Sequence, residues 1–289
     1  MMNHSEIQAL VTLLDDDDKE VLSHVWHKIK SYGKDVVPLL EDFWNPELGT
    51  QSERLESLIK EIRFDALLAE WSEWLNTPTH DLLRAHYLIS SYFFPDLDFD
   101  ALERKVFKIR QSIWIELNNN QTPFEQVQIF NQVLYYHLGF KGEQDAADNA
   151  DFCLNHILDS RKGNPISLGF LYIILSKSLN LPVFGVRLKN YFILAFCKDL
   201  EPELNNEAEA QNSVLFYLNA FQKGVIFSKS QIDDYLKRLK EKPQDIHYSP
   251  ASTLDIVKEM LYYLIVINTQ RKQFEIVEEL KKIRERISG

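Results

Sequence analysis

Cys153 and His156 stand three positions apart in the stretch CLNHILDS. On a helix that spacing makes the two side chains neighbours, and a thiol beside an imidazole is the pairing from which thiolate nucleophiles are built. Ser167, with His156 as its base, offers the hydroxyl version of the same chemistry. Against both stands a plainer reading: a small buried thiol beside a polar helix residue, and a serine whose hydroxyl serves free N–H groups at a helix start. His24 and His27 share a helix face, but no Cys or Asp partner is evident near them, and neither CxxC nor HExxH occurs, so no metal is implied. Arg161, Lys162, Gly163 and Asn164 precede a helix start, where basic side chains and backbone N–H groups can converge on an anion. The competing reading pairs Arg161 with Asp159 or another local carboxylate. Phosphate loops of the GxGxxG or GxxxxGK[ST] kind are absent, and no cofactor is implied. Tyr135, Tyr136, Tyr172, Tyr191 and Phe192 are candidates to line a cleft, although their helical and strand spacing reads first as core.

The elements that must carry these residues are mostly helical. Residues 5–119 show apolar periodicity of helical type, as in Ile7, Leu10, Val11 and Leu14. Asp15 to Asp18 interrupt it and read as a tight turn plus N-cap for a helix bearing Val21, Leu22, Val25, Trp26 and Ile29, with Gly33 at its exit. A short helix DVVPLLEDFW, a longer one over 52–76 and another over 79–94 follow. The pattern restarts with Asp98 or Asp100 as cap. TPFEQVQIFNQVLYYHLGF carries Thr122 as cap, Pro123 in the first turn, Glu125 at the third position and Gly139 at the exit, the signature of a capping box with a Gly stop. CLNHILDS is a helix, Arg161–Gly163 a turn, Asn164 an N-cap, and Ile166–Leu179 a helix apolar on most faces and therefore buried. After residue 181 the chain changes character. VFGVRL, YFILAFC and SVLFYLNAF read as strands, with VIFSK as a fourth, and KDLEPELNNEAEAQNS reads as a mobile hairpin loop. KSQIDDYLKRL returns to helix, and the last 40 residues form two helices broken near Asn268–Lys272. A buried helix feeding an antiparallel sheet makes the fold class α+β, mostly helical. The expected divisions are a helical region 1–78, an α+β core 79–248 and a C-terminal helical hairpin 249–289.

Composition narrows the function. The 289 residues are 45% hydrophobic and 26% charged, values of a folded globular chain. Lys and Arg number 32 against 43 Asp and Glu, a net charge of -11, which opposes generic binding to nucleic acid or anionic lipid. Two cysteines, Cys153 and Cys197, are too few for a disulfide framework and read as buried free thiols in a reducing compartment. The start MMNHSEIQALVTLLDDDD lacks the basic and apolar parts of a signal peptide, and no apolar run is long enough to span a bilayer. The expectation is a soluble cytoplasmic protein without nucleic-acid or membrane partners.

The stretch LNHILDSRKGNPISLGFLYIILSKSLNLPVFGV, followed by YFIL on the next strand, resembles the SirB-type transglutaminase-like family. HYLISSYFFPDLDFDALE and FNQVLYYHLGFKG are similar to that family's lead-in helices, so the resemblance covers roughly residues 82–227. The N-terminal 40 residues also resemble a HEAT repeat, and the C-terminal hairpin is similar to a single tetratricopeptide unit. For the core, the resemblance implies the fold of the transglutaminase and papain-like superfamily. Active members use a Cys at the N-terminus of the buried helix, a His from the following strand and an Asp from the strand after it. Carried over, the Cys position falls on Pro165, or on Ser167 with a two-residue slip. The His position falls on Tyr191 and the Asp position on Asn219. Pro165 has no nucleophile, Tyr191 is a weak base near neutral pH, and Asn219 carries no charge to steady an imidazolium. No His lies between His156 and His247. The leading expectation is a non-catalytic protein- or peptide-binding or scaffold module, with the former catalytic groove and the helical N-terminal face as its surfaces. The rivals are a hydrolase or acyltransferase using Cys153 or Ser167, and a structural oligomer whose groove its own side chains fill.

Overall fold

The computed structural model describes residues 4–118, 120–144, 148–188, 191–202 and 207–288, and at residues 48 and 208 the backbone alone. The chain forms two compact units, Met1–Glu73 and Trp74–Gly289.

The first unit is helical: α1 (His4–Thr12), α2 (Lys19–Lys30), α3 (Val37–Asp42) and most of α4 (Thr50–Leu75). Its periodic apolar residues meet in one core that includes Ile7, Leu14, Ile29, Leu40, Leu55 and Leu58. The acidic run does what its position suggests. Asp18 caps α2, its side chain accepting the Glu20 N–H at 2.8 Å. Arg54 fastens the turn by donating to the carbonyls of Leu14 and Asp16 at 2.7 and 2.9 Å.

The second unit opens with α5 (Leu82–Phe93) and α6 (Phe99–Trp114), the latter capped by Asp98 rather than Asp100. In α7 (Pro123–Asn131) the expected capping box forms, with Glu125 N–H donating to Thr122 Oγ1 and Thr122 N–H to Glu125 Oε2. The periodicity of α7 conceals its ending, because residues Gln132–His137 wind as a π-turn before Gly139 leaves at φ +78°. Then come β1 (Lys141–Gly142), α8 (Leu154–Ser160), β2 (Lys162–Gly163), α9 (Pro165–Ser178), β3 (Val183–Leu188) and β4 (Tyr191–Cys197). They are followed by α10 (Glu207–Asn212), β5 (Val214–Asn219), β6 (Val225–Phe227), α11 (Lys229–Arg238), α12 (Thr253–Gln270) and α13 (Phe274–Ser288).

β3 to β6 form an antiparallel sheet in sequential order, with Gly185 opposite Leu194 and Leu218 opposite Ile226. Every residue of α9 from Ile166 to Ser176 is buried, as its all-round apolar character requires. Strand alternation sends Phe192 and Leu194 toward α9, where a Cβ on Gly169 would sit 2.5 Å from the Phe192 ring. The other face packs Val186, Ile193, Ala195 and Tyr217 on Ile232 and Leu236 of α11. The α+β expectation holds. Two local ones do not. Lys162–Gly163, expected as turn, pairs in parallel with Lys141–Gly142. The polar segment 198–213, expected as loop, contains α10; its residues 203–206 lie outside the described residues, as do residues 1–3 of the N-terminal stretch.

Candidate functional site

The start of α9 is built from Asn164, Pro165 and Ser167. Pro165 is the first helical residue, where a missing N–H is harmless. Asn164 Oδ1 accepts the Ser167 N–H at 2.9 Å, and Ser167 Oγ accepts the Asn164 N–H at 3.0 Å. The Ser167 hydroxyl also donates to the Asn164 carbonyl at 3.3 Å, and the side chain has no solvent exposure. Asn164 also donates Nδ2 to the Asp151 carbonyl at 3.3 Å.

In the turn before it, Arg161 takes the left-handed conformation, at φ 59°. Gly163 is needed for space: a Cβ there would lie 2.8 Å from Ser167 Oγ and 3.0 Å from Leu168 Cγ. Arg161 does not pair with Asp159. It donates to the Leu138 carbonyl at 2.6 Å, and Asp159 pairs with Lys105 at 2.5 Å. Lys162 pairs with Glu143, also at 2.5 Å, which pulls the Glu143 carboxyl below its usual range. Both basic residues are therefore engaged within the protein.

Tyr191 and Asn219 do meet. Asn219 Nδ2 donates to Tyr191 Oη at 3.1 Å, while Asn219 Oδ1 accepts the Gln222 N–H at 3.2 Å. The meeting is on the α11 face of the sheet, where Tyr191 packs with Ile193, Ala195 and Tyr217 and its ring centroid lies 6.3 Å from that of Tyr235. Pro165 and Ser167 belong to the helix covering the opposite face. The fold thus unites the residues carried over to the His and Asp positions and separates them from the position carried over to the nucleophile.

Cys153 is fully buried, its thiol donating to the Asn149 carbonyl at 3.3 Å. Burial pushes the thiol far above its ordinary value, with a Ser90 hydrogen bond opposing. His156 faces Asp151 at 3.6 Å. A second imidazole lies nearby that the sequence did not single out. His86, on α5, is fully buried against the Phe170 ring and donates Nε2–H to the Phe152 carbonyl at 2.9 Å. Burial lowers its pKa to about 4, the carbonyl hydrogen bond opposing. His24 and His27 each bond a carbonyl one turn back, and among the described residues no group of three or more His, Cys, Asp and Glu side chains converges.

An open cleft of about 910 Å³ lies elsewhere, between α7 with its π-turn and the segment Lys223–Ile226, a size usual for ligand sites. Its lining includes Phe124, Ile129, Tyr136, Lys223 and Val225. Phe124, Tyr136 and Val225 are 48%, 61% and 53% exposed. The Lys223 ammonium sits 4.9 Å from the Tyr136 ring centroid, a cation–π distance. Asn131 fixes the floor, donating to the Gly224 carbonyl at 2.9 Å and accepting from Tyr172 Oη at 3.1 Å. Gly224 is at φ +70°, and a Cβ there would overlap Asn131. Of the aromatics considered, Tyr136 lines this cleft and Tyr135, Tyr172 and Phe192 are core. Lys223, Asn131 and Val225 went unnoticed because only the fold brings 131 and 224 together. The π-turn, a common companion of functional sites, leaves no periodic mark.

A buried helix laid across a four-stranded antiparallel sheet, preceded by a helical lead-in, defines an α+β protein of transglutaminase-like type. The transglutaminase-like superfamily model matches residues 99–262, more than half of the chain, and the chain belongs to that superfamily. It is 28% identical over 127 residues to the UPF0162 protein of Xylella fastidiosa strain Temecula1, covering 42% of this chain and 45% of that protein. It is 24% identical over 143 residues to the UPF0162 protein of Vibrio cholerae, covering 49% and 48%. F-box only protein 21 of Mus musculus is 33% identical over 95 residues, which cover 32% of this chain and 14% of that protein. The chain spans just under half the length of the bacterial relatives. No solved structure matches it.

Proposed function

We propose that this chain is a SirB-type, non-catalytic member of its superfamily that binds a peptide or protein segment and acts in the cytoplasm. The observation carrying the proposal is a contrast in access. Of the carried-over catalytic positions, Ser167 and Asn219 are buried and hydrogen-bonded and Pro165 and Tyr191 are half-buried, whereas the cleft beside β6 is open and lined by exposed aromatic and aliphatic groups. β6 is the last strand of its sheet, and an edge strand beside apolar side chains suits an extended peptide adding one more strand. The HEAT-like reading of the first unit and the tetratricopeptide-like reading of the α12–α13 hairpin fit a scaffold of this kind. No hydrolytic step is needed, and Cys153 and Ser167 are structural in this reading.

The test uses the full chain and a displayed random-peptide library. Enriched peptides are expected to slow amide exchange in residues 225–227 and to bind at least about tenfold more weakly to Tyr136→Ala. Enrichment no better than background, or binding indifferent to Tyr136→Ala, defeats the proposal. So does turnover of an amide or ester that ceases in Cys153→Ala or Ser167→Ala.

A further inference from the structure

We propose that the solvent face of α6 is a second docking surface, independent of the cleft, for an acidic amphipathic segment of another protein. Between the exposed Glu103 and Glu116, residues 104–115, RKVFKIRQSIWI, contain four cations and no carboxylate in a chain of net charge -11. The helix buries Leu102, Val106 and Ile113. Its other side carries Arg104, Phe107, Lys108 and Trp114 on one stripe at helical spacing, continued by the C-cap Ile115. Phe107, Trp114 and Ile115 are 55%, 60% and 66% exposed, a concentration of large apolar surface that marks interaction sites.

The charges select the partner. Lys105 is neutralised by Asp159 at 2.5 Å, and Arg104 has Asp98 at 3.7 Å. Lys108 has no ion pair among the described residues. Arg110 lies over the Phe107 ring at 5.8 Å and gives its Nε–H to the Ser178 carbonyl, and it too has no ion pair among the described residues. A surface with unneutralised cations beside exposed aromatics is complemented by carboxylates flanking an apolar stripe. The acidic sum of the whole chain disfavours an anionic membrane or nucleic acid, whose charge extends well beyond one helix.

The probe is a labelled helical peptide with leucines on one face and glutamates on the other, beside a version with glutamine for glutamate, titrated into the full chain. The glutamate peptide is expected to bind at least about tenfold more tightly than the glutamine one, with loss of about tenfold in Trp114→Ala and in Lys108→Glu. Both positions are exposed, so unchanged melting curves separate lost binding from lost fold. Equal binding of the two peptides, or variants that bind as the parent does, overturns the proposal. Two further results overturn it: capture by phosphatidylserine vesicles over phosphatidylcholine ones, abolished by Trp114→Ala, and a concentration-dependent dimer abolished by the same change.

Discussion

The two faces of the four-stranded sheet differ in chemistry: the α9 face is hydrocarbon where it is described, and the α11 face adds polar groups to an apolar cluster. Toward α9 the described β4 side chains are Phe192, Leu194 and Phe196, set against Gly169 and the Phe170 ring. Toward α11 lie Tyr191, Tyr217 and Asn219, joined to polar groups beyond: Tyr217 Oη donates to the Tyr248 carbonyl at 2.9 Å, and Tyr248 Oη donates to Asp233 at 2.5 Å. A nucleophile at a helix N-terminus needs its base on the sheet face that the helix covers. Here the covered face is hydrocarbon where it is described, and the polar pair that resembles a base and its orienting partner is on the other side. The non-catalytic role proposed above therefore rests on side-chain direction as well as residue type.

The largest expected effect tests which face holds the fold. Phe192→Ala removes a ring wedged between Gly169 of α9 and Gly185 of β3, and should lower stability by about 3–5 kcal/mol. Tyr191→Phe removes one hydroxyl from the polar face and should lower it by only about 1 kcal/mol. Denaturant titration of both variants decides. A larger loss from Tyr191→Phe would reverse the roles given to the two faces.

His86 extends the comparison to pH, because it is an imidazole packed on the α9 side. Its folded pKa of about 4 lies below the ordinary 6.5, so the unfolded chain binds the proton more readily. No penalty operates above pH 6.5. As the pH falls from there toward 4, stability should drop by something on the order of 3 kcal/mol. His86→Gln should flatten that part of the profile while lowering stability near neutral pH. A parent protein whose melting temperature is level across this window would show that the imidazole is not held neutral by its surroundings.

Gly163 gives the next effect and also shows what a sequence can convey. Gly163→Val should lower stability by about 1–3 kcal/mol because its side chain would strike Ser167 and Leu168, whereas Pro165→Ala should stay below about 1 kcal/mol. Similar, negligible melting shifts would mean the packing around the cap is loose. The turn at 161–163 was legible, but what its glycine does was not. Local rules favour glycine for a left-handed turn, yet Arg161 takes that conformation, and the glycine answers to Ser167 across the next turn. Caps at Asp18, Thr122 and Asn164 were readable because each is a bond between residues a few positions apart. The buried α9 was readable because apolar character on all sides leaves no other place for it. The cleft was not, because Asn131 and Gly224 meet only through tertiary packing. The two-residue ladder β1–β2 was hidden for the same reason, being too short to show alternation. The Tyr191–Asn219 pair was half readable. The alignment that the family resemblance supplied put the two in partnership, but the face they occupy depends on strand parity, which a shift of one residue inverts.

The smallest expected effect is the most discriminating. Restoring the superfamily's residue types by Pro165→Cys, Tyr191→His and Asn219→Asp in one chain should yield no activated thiol. The new imidazole and carboxylate would lie on the α11 face, as Tyr191 and Asn219 do now, while residue 165 begins the helix on the other. Iodoacetamide labelling of the new thiol should therefore follow an ordinary cysteine titration, with a midpoint near about 8.5, and ester substrates should not turn over. A midpoint displaced toward about 6 in the triple variant but not in Pro165→Cys alone would place the His within reach of the thiol. The face assignment would then be wrong, and the proposed non-catalytic role would rest on residue identity alone.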